Sequence, residues 1–157
     1  MSIRSSFRPS LLFLSTVVAL AGAARAEGPP SKAEQALTYR KAIYEVIVWN
    51  VRPMGAMAQD KVPFNAQEFE LRAGRVAELA PMLAEAYPPE SQGVANSKLK
   101  PEMWANRADF DAKLKDLVDR SAALAQVAKG GDPAKTKAGY FSLADACKAC
   151  HEKYKAD

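Results

Sequence analysis

Histidine and cysteine are scarce in this chain: 157 residues include one histidine and two cysteines. That inventory excludes a structural zinc site, which takes four Cys, His or carboxylate ligands. It also leaves no nucleophile paired with a histidine base beside a second histidine, and there is no phosphate-cradling loop, so no catalytic constellation is present. Aromatic residues make up 8% of the chain, and no basic stripe is interleaved with them, which removes nucleic acid as a partner class. Runs of β-branched residues are few, and neither an internal repeat nor a low-complexity tract follows residue 26.

Long apolar runs are equally rare. The one that stands out, Leu11-Leu12-Phe13-Leu14-Ser15-Thr16-Val17-Val18-Ala19-Leu20, follows Arg4 and Arg8 and precedes the small residues Ala24-Arg25-Ala26. It is short for a span of about 20 residues, and no stop-transfer pattern follows. Residues 1–26 therefore read as a secretory signal peptide cleaved after Ala26, and the chain as not membrane-spanning. Removing three of the 22 basic residues leaves 19 against 18 acids, so the mature chain is formally +1. Residues 27–157 amount to one domain.

The two cysteines and the histidine lie together, in Cys147-Lys148-Ala149-Cys150-His151. C-x-x-C-H is the attachment signature of a c-type haem. Residues three apart share a helix face, so both thiols can meet one edge of a porphyrin while the adjacent imidazole turns to the iron. A thioredoxin-like dithiol would open a helix beside a strand pattern, which is missing here. A C-x-x-C disulfide would be strained and would give His151 no role. One covalent haem c is expected, with His151 as the metal ligand. Covalent haem is attached after export in bacteria, so motif and signal peptide both point to the periplasm.

Around the motif the pattern is helical. Ser31 with Glu34 forms a capping box for a first helix to about Ala58, in which Pro53 predicts a kink or early end near Trp49. Asn65 with Glu68 opens a second helix through about Ala86, its last turns distorted by Pro81. After a loop to about Lys100, Pro101 starts a third helix, which carries Trp104, Phe110, Leu114, Leu117, Ser121 and Leu124 and ends at Gly130-Gly131. Asp132 and Pro133 start a fourth, on which Tyr140, Ala144, Cys147, His151 and Tyr154 share the face expected to meet the haem. Short connections favour an all-α, antiparallel up-down-up-down four-helix bundle with haem near the C-terminal helix.

On the first helix, Leu37, Arg40, Ile47, Val48 and Val51 fall within about 60° of Tyr44. Arg40 is a charge on that stripe, and haem propionates are its expected partners, since guanidinium binds carboxylate bidentately. With a single histidine, bis-histidine ligation within a monomer is impossible. Met54 and Met57 lie about 15 Å or more along the helix from Tyr44, and Met82 and Met103 are expected to fill core gaps. Tyr44 as a phenolate ligand would need local positive charge to ionise a group with an ordinary pKa near 10.

Tyr39-Arg40, Pro101-Glu102-Met103-Trp104 and Cys147-Lys148-Ala149-Cys150-His151-Glu152-Lys153-Tyr154 together resemble cytochrome c′, the class II c-type cytochromes, over roughly residues 31–156. The resemblance implies that Cys147, Cys150 and His151 bind haem and iron, that Arg40 approaches a propionate, and that Tyr44 sits over the distal face. Members with methionine at the Tyr44 position are low-spin electron carriers; an aromatic residue there implies five-coordinate, high-spin iron that binds nitric oxide or carbon monoxide. Lys155 stands where a proximal basic residue is frequent, an arginine in many members.

The resulting expectation is a non-enzymatic periplasmic haem protein binding small diatomic gases, with nitric oxide sequestration as its role; the alternative is a low-spin electron-transfer cytochrome. No motif identifies a redox partner protein. Tyr39, Ala42, Val46 and Trp49 form a second apolar stripe opposite Tyr44, which predicts a homodimer through the first helix. Acid-acetone extraction of the purified protein should leave its colour in the pellet, and Cys147→Ala combined with Cys150→Ala should remove it; colour moving quantitatively into the solvent would refute covalent attachment.

Overall fold

The computed structural model describes residues 28–156, so the expected signal peptide lies outside the described residues. Helix α1 spans Lys32–Ala58. Its start is the expected capping box: Ser31 Oγ accepts from the Glu34 amide at 3.3 Å, and the Ser31 amide donates to the Glu34 carboxylate at 2.7 Å. Of the kink or early end expected near Trp49, the early end does not occur. Pro53 has no N–H for the Trp49 carbonyl, but Arg72 Nη1 reaches across from the next helix and donates to that carbonyl at 3.4 Å. A tertiary contact thus replaces the bond that proline removes, and the helix continues.

Helix α2, Ala66–Leu79, is capped by Asn65, whose Oδ1 accepts from the Glu68 amide at 3.0 Å. It ends sooner than expected, because at Pro81 the chain tightens into a 3₁₀ segment, Ala80–Glu85. A second 3₁₀ turn, Pro89–Ser91, lies in the long connection. The expected third helix is two pieces, α3 (Glu102–Ala105) and α4 (Arg107–Lys129), separated at Asn106. The Glu102 carbonyl accepts both the Asn106 amide (3.0 Å) and Asn106 Nδ2 (2.8 Å), closing the short helix, and the Asn106 backbone leaves helical angles (φ −120°, ψ 43°). Helix α5, Pro133–Tyr154, starts where expected, with Asp132 Oδ1 accepting from the amides of Ala134 (2.9 Å) and Lys135 (3.2 Å).

Helix α1 packs on α2 and α5, and α4 packs on α2 and α5, so the four long helices close a ring around one core. This is the all-α four-helix bundle that the periodicity predicts. Phe69, Val76, Leu83, Phe110, Leu124 and Leu143 fill it, each contributing about 2 kcal/mol of apolar burial. Gly55 lets α1 approach α5: a Cβ there would run into the Tyr140 hydroxyl and lie 3.1 Å from its Cζ. Tyr140 is consequently a core residue, edge-on to Phe69 at 6.3 Å, and not part of the cofactor face assigned to it from spacing.

The carboxy-terminal turn of α5 is tied down twice. An antiparallel bridge joins Leu99 to Lys155, with the Lys100 amide donating to the Tyr154 carbonyl and the Ala156 amide to the Lys98 carbonyl, both at 2.8 Å. Tyr154, 1% exposed and edge-on to Phe110 at 5.5 Å, donates its hydroxyl to Asp109 Oδ2 at 2.5 Å, and Lys153 donates to the same oxygen at 2.9 Å. The Tyr154 hydrogen bond first and the Lys153 one second hold the Asp109 carboxyl below its ordinary 3.8. A carboxyl depressed in the folded state stabilises the fold above its unfolded pKa and loses that contribution as pH falls through the folded value. Asp109→Asn should therefore lower the melting temperature at neutral pH and flatten its decline below about pH 4; melting curves that fall in parallel for variant and wild type between about pH 5 and 2 would refute this role.

Candidate functional site

A cleft of about 1050 Å³ opens between α1, the long connection, the start of α4 and the last turn of α5. Leu37, Arg40, Tyr44 and Val48 of α1 form one wall, while Cys150, His151 and Tyr154 of α5 face them; Tyr87 and Phe110 close the back. Cys147, one turn before His151, is half-buried against the core. The fold therefore brings Arg40, Tyr44, Cys150, His151 and Lys155 to one cavity, with Cys147 on the same helix beside it. Of the other residues on the Tyr44 stripe, Ile47 is buried, Val51 is half-buried, and Val48 is 40% exposed at the mouth.

Both cysteines are free, and desolvation pushes their thiols above the ordinary 9.0. They are thus neutral thiols on one helical turn, the form that adds across a vinyl group. Partial desolvation first and the Lys155 charge second hold the His151 imidazole below its ordinary 6.5. At neutral pH it keeps the lone pair that a metal ligand needs.

Arg40 is 4% exposed. Its guanidinium donates to the Ala86 carbonyl (3.4 Å), Ser91 Oγ (3.2 Å) and Ser97 Oγ (3.0 Å), and lies 5.3 Å from the centroid of the Tyr87 ring. All of these partners are neutral, and no carboxylate lies within 4 Å of it among the described residues. A buried cation is costly without an anion, so the cleft has a place ready for a carboxylate carried by a bound group.

The Tyr44 and Tyr87 hydroxyls are 2.9 Å apart and hydrogen-bonded. Burial, foremost, and the Tyr87 phenol raise the Tyr44 pKa far above 10, so Tyr44 is a neutral phenol and not a phenolate. No methionine lines the cleft. Met54, Met57 and Met103 are buried in the core, whereas Met82, expected to fill a core gap, is 41% exposed because the 3₁₀ turn at Pro81 turns it outward.

Sequence reasoning missed Tyr87, Ser91 and Ser97. They come from a connection without periodicity, and nothing in its pattern places them against a residue some fifty positions earlier. Donor set, cavity and buried cation together fit a haem: two thiols and an imidazole on one turn, apolar and aromatic walls, and a guanidinium for a propionate.

Known proteins agree with that fit. The family profile described as Cytochrome C′ matches residues 35–155. The chain is 30% identical over 124 residues to cytochrome c′ of Rubrivivax gelatinosus, covering 79% of this chain and 96% of that one. Among solved structures it is similar to cytochrome c prime from Shewanella frigidimarina (34% identity, TM-score 0.77, 82% of this chain and 100% of that one). A cytochrome c′ with ligand-controlled dimer dissociation matches at 28% identity and TM-score 0.74, again over 82% and 100%. A ferrous variant of cytochrome c prime from Alcaligenes xylosoxidans with bound nitric oxide matches at 25% identity and TM-score 0.74, over 82% and 99%. This chain belongs to the cytochrome c′ family, non-enzymatic proteins that carry one covalent haem c.

Proposed function

We propose that this protein is a periplasmic gas-binding cytochrome in which Cys147 and Cys150 hold the haem, His151 ligates its iron, Arg40 pairs with a propionate and Tyr44 covers the distal face. When bound, the haem supplies an iron atom that takes up a diatomic ligand. Cys147 and Cys150 would hold the group through thioethers, each S–H adding across one vinyl, sulfur to one carbon and hydrogen to the other, which needs no oxidant. His151 is tethered next to Cys150 and reaches one side only. Residues 1–26 serve as the export signal, and nitric oxide sequestration is the role this reading assigns.

The observation that carries the reading is the distal wall. Tyr44 is a neutral phenol held by Tyr87 at 2.9 Å and flanked by Val48, and neither methionine nor a second histidine is at hand. A neutral phenol is a poor ligand for iron, so Tyr44 would cover a bound haem on that side without binding its metal. Its bulk keeps water out while a small ligand displaces the ring at the expense of the Tyr87 hydrogen bond, about 1 kcal/mol. The nitric oxide complex of the Alcaligenes relative supports the same chemistry here.

Dimerisation through α1 is part of the proposal. Ala42 is exposed, Val46 is 46% exposed and Trp49 71% exposed, an apolar strip on the outside of the bundle. Tyr39 is committed within the chain, its hydroxyl donating to Glu85 at 2.6 Å. The relative with ligand-controlled dimer dissociation supports this assembly.

Two experiments test these assignments. Ferrous protein should show a five-coordinate spectrum and bind carbon monoxide; Tyr44→Ala should tighten that binding about fivefold, the equivalent of the lost hydrogen bond, and Tyr44→Met should give a low-spin spectrum that resists the gas. A wild-type split low-spin pair unaffected by carbon monoxide would move the assignment to electron transfer. In sedimentation velocity the wild type should run as a dimer and Val46→Glu/Trp49→Glu as a monomer, whereas a monomeric wild type would end the assembly proposal.

A further inference from the structure

The mouth of the cleft concentrates a charge that the chain as a whole lacks. Lys41 and Arg52 stand on one stripe of α1 with Val48 between them, and Lys98 and Lys155 stand opposite, on the two segments joined by the Leu99–Lys155 bridge. None of these four has a carboxylate within 4 Å among the described residues, while Arg72, also in the lining, is paired with Glu68 at 2.8 Å. The lining holds six Lys and Arg residues in all and one acid, Glu45. After Glu68 and two propionates are counted against them, the mouth keeps a formal +2, on a chain whose residues 27–157 total only +1. On α4 three surface aspartates are instead paired within the helix, Asp111 with Arg107, Asp116 with Arg120 and Asp119 with Lys115.

The free cations sit on both sides of a concave opening, at the place where a cofactor held by Cys150 and His151 would come nearest to solvent. Unpaired like charges repel one another, yet these four stand together around one opening with a single acid, Glu45, in the lining. We infer that the cleft mouth is the docking surface for an acidic one-electron redox protein that reduces the haem iron from the ferric to the ferrous state. This rests on the haem reading above. The donor loses one electron, the iron gains it, and no bond or proton is exchanged. A ring of cations around a concavity suits a convex acidic patch on a protein, while a flat anionic bilayer would reach only its crest. Steering of this kind raises encounter rates tenfold or more and falls steeply with salt.

The test uses the holoprotein, with haem confirmed by colour retained in the acid-acetone pellet. Reduction is followed by stopped flow with ferrous EDTA, a dianion, and hexaammineruthenium(II), a dication, between about 0.01 M and about 1 M ionic strength. The rate with the dianion should fall about tenfold as salt rises, and the rate with the dication should rise. Lys41→Glu/Lys98→Glu should reverse both trends with an unchanged far-UV spectrum, and Lys41→Gln/Lys98→Gln should flatten them. Poly-L-glutamate should bind the wild-type holoprotein and slow reduction by ferrous EDTA, and the Glu variant should escape it. Equal salt slopes for the two reductants, or slopes indifferent to the charge reversal, would overturn the docking surface. Retention on phosphatidylglycerol vesicles at about 0.15 M salt without binding of poly-L-glutamate would overturn it in favour of a membrane surface. A colourless protein would instead overturn the haem reading on which it stands.

Discussion

A guanidinium buried at 4% exposure, with only neutral acceptors around it, organises the region where α1, the long connection and the carboxy terminus meet. Arg40 holds Ala86, Ser91 and Ser97, which pins a connection that has little secondary structure of its own. Ser97 also accepts from the Leu99 amide at 3.2 Å, and Leu99 bridges to Lys155, four residues beyond His151. One chain of hydrogen bonds therefore runs from the α1 wall of the cleft to the segment that follows the proposed iron ligand. A buried charge of this kind is tolerated only where its hydrogen-bonding capacity is used and an anion can reach it. The first requirement is met by the fold, and the second is what the proposed propionate pairing would supply.

The bundle also shows how tertiary contacts settle local conflicts. Pro53 inside α1 would leave the Trp49 carbonyl unpaired, and Arg72 from α2 supplies the missing donor. Where no such donor arrives, the sequence punctuation prevails: Pro81 turns the end of α2 into a 3₁₀ segment, and the third helix is interrupted at Asn106, whose backbone leaves helical angles. The difference lies in whether a long side chain from a neighbour can reach the orphaned acceptor, which no local pattern contains.

Most of the architecture was legible beforehand. Ser31–Glu34, Asn65–Glu68 and Asp132–Pro133 mark helix starts with local chemistry, and all three operate as read. The stripe through Leu37, Arg40, Tyr44 and Ile47 identifies the inward face of α1 because its period follows the helix. Spacing was a poorer guide where a face serves two masters. Tyr140 shares a face with Cys147 and His151, yet it is drawn into the core by the close approach of α1 at Gly55. Met82 shows the same limit, since the periodicity that would have buried it ends at Pro81.

By itself the sequence determined what is chemically possible: a single C-x-x-C-H on one helical turn, one histidine, four amphipathic segments, and a charged residue on an apolar stripe. These are properties of residues close together in the chain, where spacing and side-chain chemistry suffice. Tertiary structure alone decided which groups face that motif. Tyr87, Ser97 and Lys98 reach the cleft from a connection without period, and Tyr44 becomes a neutral, hydrogen-bonded phenol in its wall only because that wall is dehydrated and Tyr87 lies 2.9 Å from it. Contacts between residues some fifty positions apart depend on how the helices close their ring, and burial sets the protonation of groups whose solution chemistry would otherwise be ordinary.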